Sequence, residues 1–242
     1  MNRRQSACAA VLLALCIFPQ ISPADIAVRD GDKVAFLGDS ITRLGWKTPS
    51  GYVRLVIAGL EANGIRIAPV PAGVAGNRSS EMLARIKRDV IAKKPDWMLL
   101  SCGVNDVCFG LSGTNGIALE PFKANITAMV EKAQSGGIKL MILTASPIGE
   151  IARSPGNRAL VPYNDFLRAL AKEKNFPLAD VNADMTAALK NFRNPETALT
   201  VDGLHPNAEG HKIFAACILR AFGLDGAQIE KARAAWTIPP KQ

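Results

Sequence analysis

The sequence predicts an α/β domain: a parallel sheet of five strands with helices on both faces. Three observations predict it. Short apolar runs alternate with longer segments of helical period along the chain. Gly64, Pro95, Gly136-Gly137 and Pro147 fall at the boundaries between these segments, where they stop one element and open the next. The length, 242 residues, is enough to bury a sizeable core as one domain.

The first stretch, "MNRRQSACAAVLLALCIFPQISPA", stands apart. Arg3 and Arg4 precede an apolar run from Ala7 to Phe18, and Ser22-Pro23-Ala24 supplies small residues for a cleavage site. This layout predicts a secretory signal peptide over residues 1–24, followed by a single domain over 25–242. The apolar run is shorter than the ~20 residues that span a bilayer, which argues against a retained anchor. Leu15 is larger than the residue that usually precedes a lipidated cysteine, which argues against lipidation at Cys16. The expected location is exported, periplasmic or extracellular, with no stable membrane anchor after cleavage.

The domain then reads element by element. "KVAFLG" is a β-rich run ending at Gly38. "YVRLVIAGLEANG" follows, with Val53, Val56, Ile57 and Leu60 on one helical face and Gly64 as its stop. "IRIAPV" is the second expected strand. "SSEMLARIKRDVIAKK" opens on serines, carries Glu81 early and ends on lysines, in keeping with the helix dipole, until Pro95. "DWMLLSCG" is the third strand, "PFKANITAMVEKAQSGG" a helix closed by glycines, and "IKLMILTAS" the most continuously apolar strand. "VPYNDFLRALAKEKN" is a further helix and "FPLADV" a short fifth strand. "PNAEGHKIFAACILRAFG" closes the domain as a helix with Pro206 near its start, and the tail from Ala227 carries one more short helix.

Composition narrows the function class. The net charge is +8, or about +6 without Arg3 and Arg4, and Lys and Arg are interspersed with Asp and Glu. No basic block or basic-aromatic alternation resembles a nucleic-acid module, so no nucleic-acid partner is expected. Cys102, Cys108 and Cys217 remain after cleavage. Two readings stand: a Cys102–Cys108 pair with Cys217 alone, or three buried thiols. No C-x-x-C or Cys/His grouping suggests a metal site.

In a parallel sheet of this kind, ligands bind beyond the carboxyl ends of the strands. The first strand ends in Gly38-Asp39-Ser40, the second leads into Gly76-Asn77, and the third ends in Gly103-Val104-Asn105-Asp106. Asp202-Gly203-Leu204-His205-Pro206 lies between the fifth strand and the last long helix. A serine hydroxyl becomes a useful nucleophile only when a base takes its proton, and imidazole suits that task. The chain has two histidines. His211 falls inside a predicted helix, where surface or packing roles suit it, so His205 is the candidate base. Asp202, three residues earlier, is within reach to hold its tautomer. The backbone N–H groups of Ser40 and Gly76 and the Asn105 amide are candidate donors to an oxyanion. Taken singly, each piece also reads as a turn or a helix cap.

The four blocks together resemble the SGNH/GDSL hydrolase superfamily, from Phe36 to His205. The resemblance implies a flavodoxin-like three-layer α/β/α sandwich. It implies that Ser40 is the nucleophile, His205 the base and Asp202 its partner, with an oxyanion hole from Ser40, Gly76 and Asn105 and no metal or cofactor. Ile41 departs from the leucine of the lipase-type block, and Gly-Asp-Ser-Ile-Thr is more similar to bacterial esterases acting on acylated sugars.

The expected function is a serine esterase working through an acyl-enzyme on short-acyl, chiefly acetyl, esters of a small molecule or oligosaccharide. Pocket walls are expected around Trp46-Lys47-Thr48, Phe109 to Ala118 and Pro147 to Leu160, without a long apolar lid. Arg153 and Arg158 in the last loop are candidates to meet an acidic sugar. The alternatives are a lysophospholipase or thioesterase of the same fold, a catalytically silent secreted sugar-binding protein, and an anion-binding α/β protein using the helix start near Ser40.

Overall fold

The computed structural model describes residues 26–190 and 198–236. The expected signal peptide, residues 1–24, lies outside them. Five parallel strands, β1 (Lys33–Gly38), β2 (Ala68–Gly73), β3 (Trp97–Ser101), β4 (Lys139–Leu143) and β5 (Leu178–Ala179), form one sheet in the order β2-β1-β3-β4-β5. The helices among the described residues are α1 (Ser40–Lys47), α2 (Tyr52–Ala62), α3 (Ser79–Asp89), α4 (Val104–Leu111), α5 (Leu119–Ser135), α6 (Pro155–Glu173), α7 (Val181–Leu189), α8 (Ala208–Ala221) and α9 (Gly226–Trp236). None of them is long and apolar enough to cross a membrane.

The strand alternation divides the core in two. Val34 and Phe36 of β1, Leu99 of β3 and Met141 of β4 face α2, α7, α8 and α9. Ala35, Leu37, Met98, Leu100, Leu140 and Ile142 face α3, α5 and α6. Both faces are covered, which makes the strands read as continuous apolar runs. Phe36, Phe122 and Phe214 are fully buried in these layers, each stabilising the fold by about 1.5–3 kcal/mol. This is the three-layer α/β/α sandwich expected from the sequence.

The second strand departs from expectation by three residues, running over Ala68–Gly73 rather than Ile65–Val70. It is an edge strand paired only with β1. Its N–H groups reach β1 at Ala68, bonding the Asp32 carbonyl, and the same phase continues at Val74, bonding Gly38. Pro69 and Pro71 therefore occupy the opposite phase, on the open edge, where a missing N–H leaves no ladder bond unmade.

Three short helices, α1, α4 and α7, begin within three residues of a strand; α1 is the helix start near Ser40, whereas α4 and α7 were not expected as helices. The helix expected from Val161 starts instead at Pro155. Ser154 caps it by accepting the Asn157 N–H at 3.2 Å, and proline is favoured at the first helical position.

Candidate active site

Gly38 is in register with Gly73, and Leu37 with Leu100, so the exits of β1, β2 and β3 open side by side. Ser40 is the first residue of α1 and leaves β1 after a single intervening residue. A Cβ at Gly38 would lie 2.0 Å from Thr42 Oγ1 and 3.2 Å from the Ser101 carbonyl oxygen, so only glycine fits this turn. Asp39 caps α1 by accepting the Ile41 N–H at 2.9 Å. Its carboxyl is buried, and burial raises its pKa to about 6 against the opposing pull of that N–H and of His205.

His205 meets Ser40 from the far end of the chain. Its Nε2 lies 2.9 Å from Ser40 Oγ, and its Nδ1 lies 2.7 Å from Asp202 Oδ2. Asp202 Oδ1 accepts the N–H groups of Leu204 at 3.0 Å and His205 at 2.8 Å. Burial pushes the Asp202 carboxyl up, but these N–H groups and the His205 ring outweigh it and hold the carboxyl below its usual pKa. An ionised Asp202 needs a proton on Nδ1, which leaves the Nε2 lone pair free to accept from the Ser40 hydroxyl.

The loop carrying this pair is closed at its base. Thr200 and Pro206 form an antiparallel bridge, and the Val201 N–H donates to the His205 carbonyl at 2.9 Å. Asn207 then caps α8, accepting from Glu209 and Gly210 at 3.0 Å each. A second loop straps it from outside. Glu150 accepts the Leu199 N–H at 3.2 Å, the Thr200 N–H at 2.9 Å and the Thr200 hydroxyl. The Gly149 N–H donates to the Gly203 carbonyl at 2.5 Å.

On the other side stand Gly76 and Asn105. Gly76 has φ of +75° with open space where a Cβ would sit, so backbone conformation selects glycine there. Asn105 is the second residue of α4, is 3% exposed, and donates one amide hydrogen to the Asn77 carbonyl at 3.0 Å. Its amide keeps a second hydrogen for another acceptor. Next to it Asp106 accepts the Ser79 N–H at 3.0 Å and the Ser79 hydroxyl at 2.5 Å, which tethers the start of α3. Burial raises the Asp106 pKa and the Ser79 bonds oppose the rise.

The structure thus brings Ser40, His205 and Asp202 into one hydrogen-bonded chain and sets Asn105 against the Gly76-Asn77 turn. His211 packs in α8 beside Tyr52, ring centroids 6.2 Å apart, and burial lowers its pKa to about 4. Cys102, Cys108 and Cys217 are free thiols, and Cys102 Sγ donates to Asp106 at 3.7 Å. Arg158 donates to the Arg153 carbonyl, and the Arg54 guanidinium covers the Trp46 ring at 3.7 Å.

Sequence reasoning missed Arg85 and Glu150. Arg85 had a signal: it follows Met82 by three residues and precedes Ile86, on the apolar face of a predicted helix. Glu150 had none, because its Thr200 partner lies 50 residues away.

Comparison with known proteins shows the family and the fold. Residues 36–213 match the model of the GDSL-like lipase/acylhydrolase family. An acetylxylan esterase of Geobacillus stearothermophilus is 30% identical over 216 residues, covering 82% of this chain and 97% of that protein. Its crystal structure superposes with a TM-score of 0.74 at 29% identity, over 82% of this chain and 97% of that one. Catalytic mutants of that enzyme replace a serine, an aspartate, and a histidine three residues after the aspartate. The esterase TesA of Pseudomonas aeruginosa is 25% identical, covering 80% of this chain and 86% of that protein. With the family match spanning most of the described residues and the fold agreeing, the chain belongs to the GDSL-like lipase/acylhydrolase family.

Proposed function

We propose that this protein is an exported serine esterase that removes acetyl groups from a carbohydrate. The observation that carries the reading is the continuous chain Asp202–His205–Ser40, with contacts of 2.7 and 2.9 Å. Ser40 Oγ attacks the ester carbonyl carbon while His205 Nε2 takes its proton. The tetrahedral oxyanion is met by the N–H groups of Ser40 and Gly76 and by the Asn105 amide. His205 then protonates the leaving sugar hydroxyl, and the C–O bond breaks to leave an acetyl-enzyme. Water, deprotonated by His205, attacks that ester and releases acetate, returning the proton to Ser40.

The acetyl preference is supported by likeness to an acetylxylan esterase and by flanking loops without a long apolar segment. Export is supported by the charged, apolar and small-residue order of the first 24 residues. A second reading, hydrolysis of longer acyl esters, draws on Ile151 and Val201, which are exposed on the two loops strapped together beside His205.

The test uses purified protein and Ser40→Ala on p-nitrophenyl esters of increasing length and on acetylated xylo-oligosaccharides. Ser40-dependent turnover that falls sharply beyond acetyl, with acetate released from the oligosaccharide, is expected. Faster turnover of longer chains would transfer the protein to the second reading. Equal turnover by the Ser40→Ala variant would refute the mechanism.

A further inference from the structure

A charged side chain in the apolar stripe of a helix has to be accounted for, and Arg85 is one. It lies on α3 among the buried residues Met82 and Ile86, with its side chain only 8% exposed. An apolar residue would fill this place without desolvating a charge. What the guanidinium adds is a planar fork of N–H donors, and each arm has a partner. Nη2 donates to the Gly38 carbonyl at 2.8 Å, Nε to Asn77 Oδ1 at 2.6 Å, and Nη1 to Asp89 Oδ2 at 3.1 Å. Asp89, one turn further along α3, balances the charge.

The first two partners lie in the segments that carry the oxyanion donors, Gly38 through its backbone carbonyl and Asn77 through its side-chain amide oxygen. Gly38 stands two residues before Ser40. Asn77 follows Gly76 directly, and its carbonyl accepts the Asn105 amide at 3.0 Å. One rigid guanidinium is therefore one hydrogen bond from the segments bearing the Ser40 and Gly76 N–H groups and two from Asn105. Donors to an oxyanion work only when held at hydrogen-bond distance from a position occupied in the transition state. We propose that Arg85 is a positioning residue that fixes the three oxyanion donors relative to one another. The proposal rests on the assignment of Ser40, Gly76 and Asn105 as those donors.

The experiment is a double-mutant cycle on p-nitrophenyl acetate, with thermal unfolding recorded for every variant. It compares wild type, Arg85→Met, Asn105→Ala and the double variant. Asn105→Ala should lower kcat by about 10²–10³. Arg85→Met should lower kcat by about 10–100-fold with KM nearly unchanged, because its effect is felt in the transition state. In the Asn105→Ala background the same replacement should lower kcat by a clearly smaller factor than in wild type, since one of the three donors it positions is already gone and residues acting through one another are not additive. Arg85→Lys should recover part of the loss, because an ammonium serves one of the two carbonyl-bearing partners but not both. A purely structural Arg85 would give the same kcat factor in both backgrounds, and that result overturns the inference. If Arg85→Met does not fold, Asn77→Ala replaces it: it removes only the Nε contact and keeps the carbonyl that holds Asn105. The same non-additivity is then expected, and full additivity again overturns the inference. An unchanged kcat for Asn105→Ala would instead overturn the donor assignment, and this inference with it.

Discussion

Asp202→Asn exchanges one atom and reverses the hydrogen-bond pattern that His205 meets. Asp202 Oδ1 accepts two backbone N–H groups, at 3.0 and 2.8 Å. An asparagine must keep its oxygen there, because a flipped amide would set its NH2 against both donors. The NH2 therefore faces His205 Nδ1, now at the place where Oδ2 stood 2.7 Å away. Nδ1 becomes the acceptor and Nε2 carries the proton. Ser40 Oγ then has no base at its 2.9 Å contact. In buried triads the wrong tautomer lowers kcat by roughly 10⁴. Here the Asp202 side chain is 51% exposed, so water can compete for Nδ1 and release part of the population. The expected loss is about 10³-fold in kcat, equivalent to about 4 kcal/mol in the barrier. The assay is steady-state hydrolysis of p-nitrophenyl acetate, beside urea unfolding to confirm that the loop is intact. A kcat within tenfold of wild type, with stability unchanged, would refute the proposed role of Asp202. Asp202→Ala is the weaker variant for this purpose, because it also removes the acceptor of both backbone N–H groups.

Two further outcomes bear on the scaffold. Gly73→Ala places a Cβ 2.4 Å from the Arg43 nitrogen and 2.8 Å from the Thr42 carbonyl carbon, both backbone atoms of α1. No side chain can yield there, so α1 must move; a loss of about 1–3 kcal/mol by urea denaturation is expected, together with reduced kcat. An unchanged midpoint would disprove the close approach. His211, with its pKa lowered to about 4 by burial, is protonated in the unfolded chain before the folded one as pH falls. Wild type should therefore lose stability relative to His211→Phe between pH 6.5 and pH 4, by about 3 kcal/mol, and no further below pH 4. Asp39 acts oppositely: its pKa, raised to about 6, makes the folded state bind the proton first, so its burial destabilises least at pH 4 and most above pH 6. Asp39→Asn should gain stability relative to wild type as pH rises from 4 to 7, and a flat difference in denaturation midpoint would exclude a buried charge there.

Much of this protein was legible in its residues because the signals are local. Each long helix repeats its apolar positions over several turns, and each inner strand is an unbroken apolar run, so the layers of the sandwich follow from periodicity. The candidate nucleophile, base and carboxylate partner stand out for a related reason: Gly38-Asp39-Ser40 and Asp202-Gly203-Leu204-His205 are each compact segments at an element boundary. The short helices α4 and α7 escaped notice because eight or nine residues carry too few repeats of an apolar face. The edge strand was displaced because its prolines argue against a strand unless it is known which side is open. What only the tertiary structure decided is the set of restraints that hold the site. Arg85 reaches Gly38 across 47 residues and Glu150 reaches Thr200 across 50, and no local pattern encodes such pairs. Buried polar groups find partners wherever the folded chain presents them, so their identity follows from the packed layers rather than from sequence neighbours.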